Sequence, residues 1–367
     1  MKRFVCECSA PIFFDNTQCL SCGRTLGYVP ETFELKPLDF DGSVRVRGTR
    51  FVKCRNYSQQ GVCNWLVSES ASDDLCSACE LNRVIPDLAQ AENRALWLEV
   101  EQAKRRLIYG LNRLGLAVTS KAKDPQAGLF FDIRADAGSE RVLTGHNDGL
   151  ITLNLEEADA AERERIRVSM KERYRTLLGH FRHEIGHYYF GLWAGKRLPN
   201  EQFRALFGDE SANYQEALRR HYDRTDSTQF SDSFISFYAS AHPWEDFAET
   251  FAHYLHMVDT LETAAAFGFV TDVGQSLAPQ PRHSPQKGEI RFKRLMGEWV
   301  NLTVALNSLN RSMGLPDAYP FSISPKVVGK LAFVDALIHD APMPQESPEN
   351  AQKISKVAHF AKATVAH

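Results

Sequence analysis

His183-Glu184-Ile185-Gly186-His187 is the segment of this chain whose residue types and spacing most plainly imply chemistry. Residues four apart on a helix stand one turn on, offset by about 40° around the axis, so both imidazoles can reach one metal ion. Glu184 projects beside them, where its carboxylate could take a proton from water at the metal and deliver it to a leaving amine. The pattern H-E-x-x-H therefore predicts metal-dependent hydrolysis, but five residues are few enough to recur by chance, and the surroundings decide. Tyr188 to Trp193 continue as an apolar helix suited to a domain core. His180, one turn before His183, reads as a polar neighbour of the site rather than a ligand.

A catalytic zinc site usually takes three protein ligands and keeps its fourth position open. The metzincin extension would require a histidine six residues after His187, yet Trp193 stands there, and Phe190 occupies the place of the expected glycine. The third ligand must come from farther along. The segment Tyr238-Ala239-Ser240-Ala241-His242-Pro243-Trp244-Glu245-Asp246-Phe247-Ala248-Glu249 offers Glu245 and, one turn later, Glu249, while His253 and His256 continue the same helix. Spacing alone leaves these alternatives open.

This segment resembles that of gluzincins of the anthrax lethal factor type. The resemblance implies that Glu245 is the third ligand, that Glu249 accepts a hydrogen bond from a ligand histidine, and that Tyr238, seven residues before Glu245, stabilises an oxyanion. Asp246 would then point away, about 100° around the helix from Glu245.

All eight cysteines lie at or before Cys79 and form two sets of four. The first is Cys6-x-Cys8 with Cys19-x-x-Cys22; the second is Cys54 and Cys63 with Cys76-x-x-Cys79. A two-residue gap lets both thiolates face one tetrahedral ion, and a hairpin brings the second pair round. A disulfide framework is the competing reading, but no secretory signal accompanies it, because Glu7, Cys6 and Cys8 interrupt the opening apolar run. Two structural zinc ions are expected here, supplying much of the folding energy of a region with little apolar material. Phe4, Phe13, Phe14 and Tyr28 could stack on bases or could simply form the ribbon core. Taken with H-E-x-x-H and H-P-W-E-D-F-A-E, this arrangement is similar to a bacterial family of zinc-binding metallopeptidases with an N-terminal zinc-ribbon domain.

The elements that must position these groups follow from periodicity. Alternation such as Val44-Arg45-Val46-Arg47 suits short strands within the ribbon region. Leu88, Leu96, Trp97, Val100, Leu107 and Leu111 recur at helical spacing ahead of the stop residue Gly115. Strands are expected at Leu129 to Ile133 and between Val142 and Leu155, then a charged helix from Glu156 to about Thr176. A helix is expected from about Gly288 to Met313, with Ile290, Phe292, Leu295, Trp299, Leu302 and Leu306 as its buried stripe, and another after Ser324-Pro325.

The fold expected is α+β: a zincin-like, mainly helical metallopeptidase domain with a small sheet over residues 86–340, preceded by a small β-rich zinc-ribbon region over 1–85. A flexible tail is expected at 341–367. With 43% hydrophobic and 24% charged residues and a net charge of −3, the chain has the composition of a globular protein and no overall basic field for nucleic acid. Mean hydropathy of −0.34 argues against a membrane protein, and a cytoplasmic location is the default.

The function expected is peptide-bond hydrolysis with one catalytic zinc on His183, His187 and Glu245, acting on a peptide or protein that the strand from Leu150 to Leu155 could align by backbone pairing. The alternative is a regulatory protein whose ribbons recognise a protein or nucleic acid while the zincin domain serves as sensor or scaffold. Residues 188–244 are long for a plain connection and could form a lid or specificity insert.

Overall fold

The structure, a computed structural model, describes residues 1–137, 141–170, 172–224, 232–269 and 288–339. The expected tail at 341–367 lies outside the described residues. The chain divides into two compact units, one of residues 1–169 and 175–181, the other of residues 170–174 and 182 onward.

In the first unit, β1 (Phe4–Val5) pairs with β2 (Pro11–Ile12), and β3 (Leu26–Val29) with β4 (Glu34–Pro37), both antiparallel. β5 (Val44–Val46), β6 (Thr49–Lys53) and β7 (Leu66–Ser68) form a three-stranded antiparallel sheet, with the short helix α1 (Arg55–Ser58) between β6 and β7. These strands are too short to bury much apolar area, and an aromatic cluster compensates. The Phe14 and Tyr28 ring centroids are 4.9 Å apart, Tyr28 and Trp65 5.0 Å, and Phe14 and Tyr109 5.3 Å.

Tyr109 belongs to α2 (Ala91–Leu114), which ends at Gly115 in the left-handed conformation that glycine adopts without steric cost. Trp97, Val100, Leu107 and Leu111 of the expected stripe are buried, whereas Leu88 lies before the helix begins. Three residues that look solvent-facing in the sequence, Glu101, Lys104 and Arg105, are buried as well. Glu101 accepts hydrogen bonds from Trp97 Nε1 at 3.1 Å and Lys104 Nζ at 2.7 Å, and Arg105 donates to the Val62 carbonyl at 2.5 Å.

α2 is the crossover between two parallel strands, β8 (Asn82–Val84) and β9 (Phe130–Arg134). With β10 (Gly145–Asn147) and β11 (Leu150–Asn154) they form a sheet in the order β10-β11-β9-β8. One expectation needs correction here. β11 pairs with β9 on one side and β10 on the other, so its backbone cannot align a substrate. Gly145–Asn147 is an edge strand, and Asp148-Gly149 turns from it into β11. The charged helix α3 is shorter than expected, Ala160–Ser169.

The second unit is helical, containing α5 (Asn200–Phe207), α6 (Tyr214–Tyr222), α7 (Pro243–Ala266), α8 (Gly288–Ser312) and α9 (Pro325–His339). α4 (Leu177–Trp193) enters it at Arg182. Phe247 and Phe251 of α7 pack against Phe190 and Tyr189 of α4, with centroids 5.5 and 5.6 Å apart. Helices α7, α8 and α9 are tied at Asp335, which accepts from Tyr254 at 2.7 Å and pairs with Arg291 at 2.5 Å. Ser324 caps α9 as expected, accepting from the Val327 amide at 3.2 Å. Ile290 departs from the expected stripe of α8 and is exposed, while Met296 is buried there.

Candidate metal centres and active site

Within the second unit, α4 and α7 must approach closely if groups on both are to share an ion, and Gly186 permits it. A Cβ built on Gly186 would stand 2.9 Å from the Ala248 Cα and 3.1 Å from its carbonyl oxygen. Glycine inside a helix costs about 1 kcal/mol relative to alanine, and here it lets two backbones touch. The crossing places His183 and His187 against Glu245 and Glu249.

The start of α7 is fixed by local chemistry. His242 Nδ1 accepts from the Trp244 amide at 3.1 Å, Pro243 supplies a helix-ready first residue, and His242 Nε2 donates to the Ala212 carbonyl at 3.0 Å. Glu245 thus falls in the first turn, where unpaired amides favour a carboxylate.

The Nε2 atoms of His183 and His187 are 3.1 Å apart, and Glu245 Oε2 lies 3.0 Å from the first and 3.3 Å from the second. Ligands about 2.0–2.1 Å from a tetrahedral zinc stand about 3.3 Å from one another, so the spacing fits that ion. Charge fits it too. Burial alone would lower the His183 pKa, but the adjoining carboxylates of Glu245 and Glu249 raise it well above the imidazole value. Burial would likewise raise that of Glu245, yet His183 and His187 hold it far below the usual carboxylate range. Carboxylates set this close around two imidazoles favour positive charge between them.

The remaining predicted groups surround these three. His183 Nδ1 donates to Glu249 Oε1 at 2.8 Å, leaving Nε2 to face the centre. Glu249 Oε2 accepts from Ser236 Oγ at 2.7 Å; burial would raise its pKa, but these partners hold it at about 2. Glu184 is buried beside the pair. The Tyr238 ring lies 5.7 Å from that of His183, and its pKa is raised by burial, then by the charges of Glu245 and Glu184. Asp246 points away into an ion pair with Lys330 of α9 at 2.5 Å.

The other histidines are engaged elsewhere. His253 bonds the Tyr319 hydroxyl at 2.8 Å, His256 accepts from Arg182 at 2.8 Å, and in the first unit His180 lies 2.7 Å from Glu157. Spacing does not single out Tyr214, which donates to Glu245 Oε1 at 2.6 Å. It lies in the long segment after His187, so that segment reaches the centre. Its only sequence signal is an Asn-capped amphipathic turn, Asn213 to His221, with Ala217 and His221 buried on the same face.

In the first unit the cysteines assemble in the two expected sets, without mixing. Cys6 and Cys22 sulfurs are 3.8 Å apart, Cys8 and Cys19 3.7 Å, and Cys63 and Cys76 3.8 Å. Four thiolates about 2.3 Å from zinc stand about 3.8 Å apart, whereas disulfide sulfurs are separated by about 2.05 Å. All eight are free thiols, so the disulfide alternative is excluded. The second cluster also receives the Trp65 amide on Cys63 at 3.3 Å and the Cys76 amide on Cys54 at 3.4 Å. Of the four aromatics considered for base stacking, Phe4, Phe14 and Tyr28 are buried in the core and only Phe13 is exposed.

Two family models match the chain. Residues 93–337 match the family described as "Putative zinc-binding metallo-peptidase", and residues 3–90 match a zinc-ribbon domain. The chain belongs to that metallopeptidase family. Relatives from Mycobacterium bovis and two strains of Mycobacterium tuberculosis, each described as an uncharacterized protein, are 40% identical over 357 residues, covering 96% of this chain and 99% of theirs. No solved structure matches the chain.

Proposed function

We propose that the protein is a gluzincin-type peptidase, with its catalytic zinc on His183, His187 and Glu245 and two structural zinc ions on the cysteine clusters. The observation that carries the reading is the convergence of His183 Nε2, His187 Nε2 and Glu245 Oε2, all within 4.8 Å, beside a buried Glu184. A zinc ion held by these residues would supply Lewis-acid polarisation of a carbonyl and a water that is a usable nucleophile near neutral pH. Glu184 takes the proton from the attacking water and returns it to the leaving amine. Tyr238 donates to the oxygen on which negative charge develops, and its raised pKa keeps it protonated for that task. Glu249 holds the His183 tautomer that presents Nε2.

The substrate class that fits is a peptide or protein. An open backbone edge in the first unit's sheet belongs to β10, not β11. Four-thiolate zinc sites need a reducing compartment, which favours the cytoplasm. Among the described residues no helix is long and apolar enough to cross a membrane. For a ribbon partner, the exposed apolar side chains Leu20 and Phe13 favour protein over nucleic acid.

Cleavage of a proteome-derived peptide library by the full chain and by Glu184→Gln tests the assignment. The variant is expected to keep its zinc and lose about 10²–10⁴-fold in rate. Equal cleavage by both proteins, or none by a wild type carrying three zinc ions, overturns it.

A further inference from the structure

We propose that Tyr214 is a positioning residue that holds Glu245 Oε1 so that the carboxylate meets the metal through Oε2 alone. The inference rests on the metal assignment above. The two oxygens of Glu245 have different surroundings. Oε1 accepts the Tyr214 hydroxyl at 2.6 Å, a short bond of the kind that forms to an ionised acceptor. Oε2 is buried and has no hydrogen-bond donor among the described residues, although it lies 3.0 and 3.3 Å from the two imidazole nitrogens. One oxygen is occupied by the protein and the other is presented to the centre.

Tyr214 is itself held from three directions. It is the first residue of α6, whose cap is the Asn213 side chain accepting from the Glu216 amide at 3.0 Å. Its ring lies 5.2 Å from that of His242 and 5.5 Å from that of Trp244. The bond from His242 to the Ala212 carbonyl ties the residues just before α6 to the cap of α7. A hydroxyl fixed this firmly sets the rotation of the Glu245 carboxylate. A carboxylate free to turn would offer both oxygens and fill the position that water must occupy.

The test is Tyr214→Phe in the full chain, which keeps the ring and removes only the hydroxyl, with p-aminophenylalanine at position 214 as a variant that keeps a donor at the same place on the ring. Zinc affinity at the third site, measured by competition with a chelator, is expected to fall about 10–100-fold in Tyr214→Phe and to recover in part in the aminophenylalanine variant. The visible spectrum of the cobalt-substituted protein is expected to weaken in Tyr214→Phe as coordination expands from four toward five, a change that simple loss of packing would not produce. A third metal that Glu245→Gln loses, but that Tyr214→Phe binds with unchanged affinity and spectrum, overturns the role of Tyr214 alone. A wild type that binds only two zinc ions overturns the metal assignment and this inference together. If Tyr214→Phe fails to fold while the aminophenylalanine variant folds with weakened binding and a weakened cobalt spectrum, the role of Tyr214 is again overturned, because a restored donor should have rescued both.

Discussion

The cysteine clusters and the histidine–glutamate cluster solve opposite problems. In the second cysteine cluster four sulfurs of buried residues converge, backbone amides point at two of them, and the buried Arg105 feels the charges of Cys63, Glu101 and Cys79. Every direction is taken, as suits an ion that only holds structure. The histidine–glutamate cluster has three converging atoms, with Glu184 and two tyrosines gathered around it. As ligands in the proposed zinc site, these three would stop one short of a closed shell. Ligand count, more than ligand type, separates a brace from a site that can do chemistry.

The contrast can be broken most severely at the closed cluster. Cys63→Ser is expected to unfold the first unit, because structural zinc contributes about 10–16 kcal/mol of folding free energy in small zinc domains. Cys22→Ser, in the first cluster where Cys8 and Cys22 are exposed, is expected to release one zinc while leaving the unit folded. Circular dichroism and zinc stoichiometry on both variants check this, and equal damage from the two would erase the distinction between a buried and a half-open cluster.

Acid gives the next largest effect and separates metal loss from the loss of other buried charges in the same unit. Burial would raise the Glu157 pKa, but His180, Thr144 and Arg175 hold it at about 2 against an ordinary 4.5. The folded state therefore binds this proton less readily than the unfolded chain. The stabilisation, about 3 kcal/mol, is fully present above pH 4.5 and disappears as pH falls toward 2. Urea unfolding of wild type and Glu157→Gln should show a gap of that order at pH 7 that narrows between those two pH values; a constant gap would refute the assignment.

The smallest expected change falls at the open cluster. Gly186→Ala places a methyl group against the Ala248 backbone, which cannot move aside as a side chain could. Overpacking of this kind costs about 1–3 kcal/mol, partly offset by alanine's better helix propensity. Third-site zinc affinity should drop about tenfold or more while the cysteine clusters keep theirs. Unchanged binding would mean that the close crossing of α4 and α7 is not what aligns the ligands.

Much of this contrast is legible in the order of residues, because metal ligation writes itself into spacing. Cys-x-x-Cys and His-x-x-x-His place donor atoms by local geometry alone. What escapes such a reading is set by partners distant in sequence. Tyr214 looks like any aromatic in a charged helix until Glu245 arrives 31 residues later. Glu101, Lys104 and Arg105 look like a solvated face until the ribbon covers them. β11 looks free to pair with a substrate because alternation shows which face of a strand is buried, not which edge is already taken.

The direct run from Cys79 through the tight turn Cys79–Leu81 into β8 bears on how this gene can be cut. Family boundaries fall between residues 90 and 93, which invites expression of a peptidase fragment beginning there. Such a fragment would lack Asn82–Val84 and leave the hydrogen-bonding edge of β9, Phe130–Arg134, bare. An uncovered strand of that composition is an invitation to aggregate. It would also lose the ribbon residues that cover the α2 ring of Tyr109, so the two halves recognised by sequence are not two pieces that can be prepared apart.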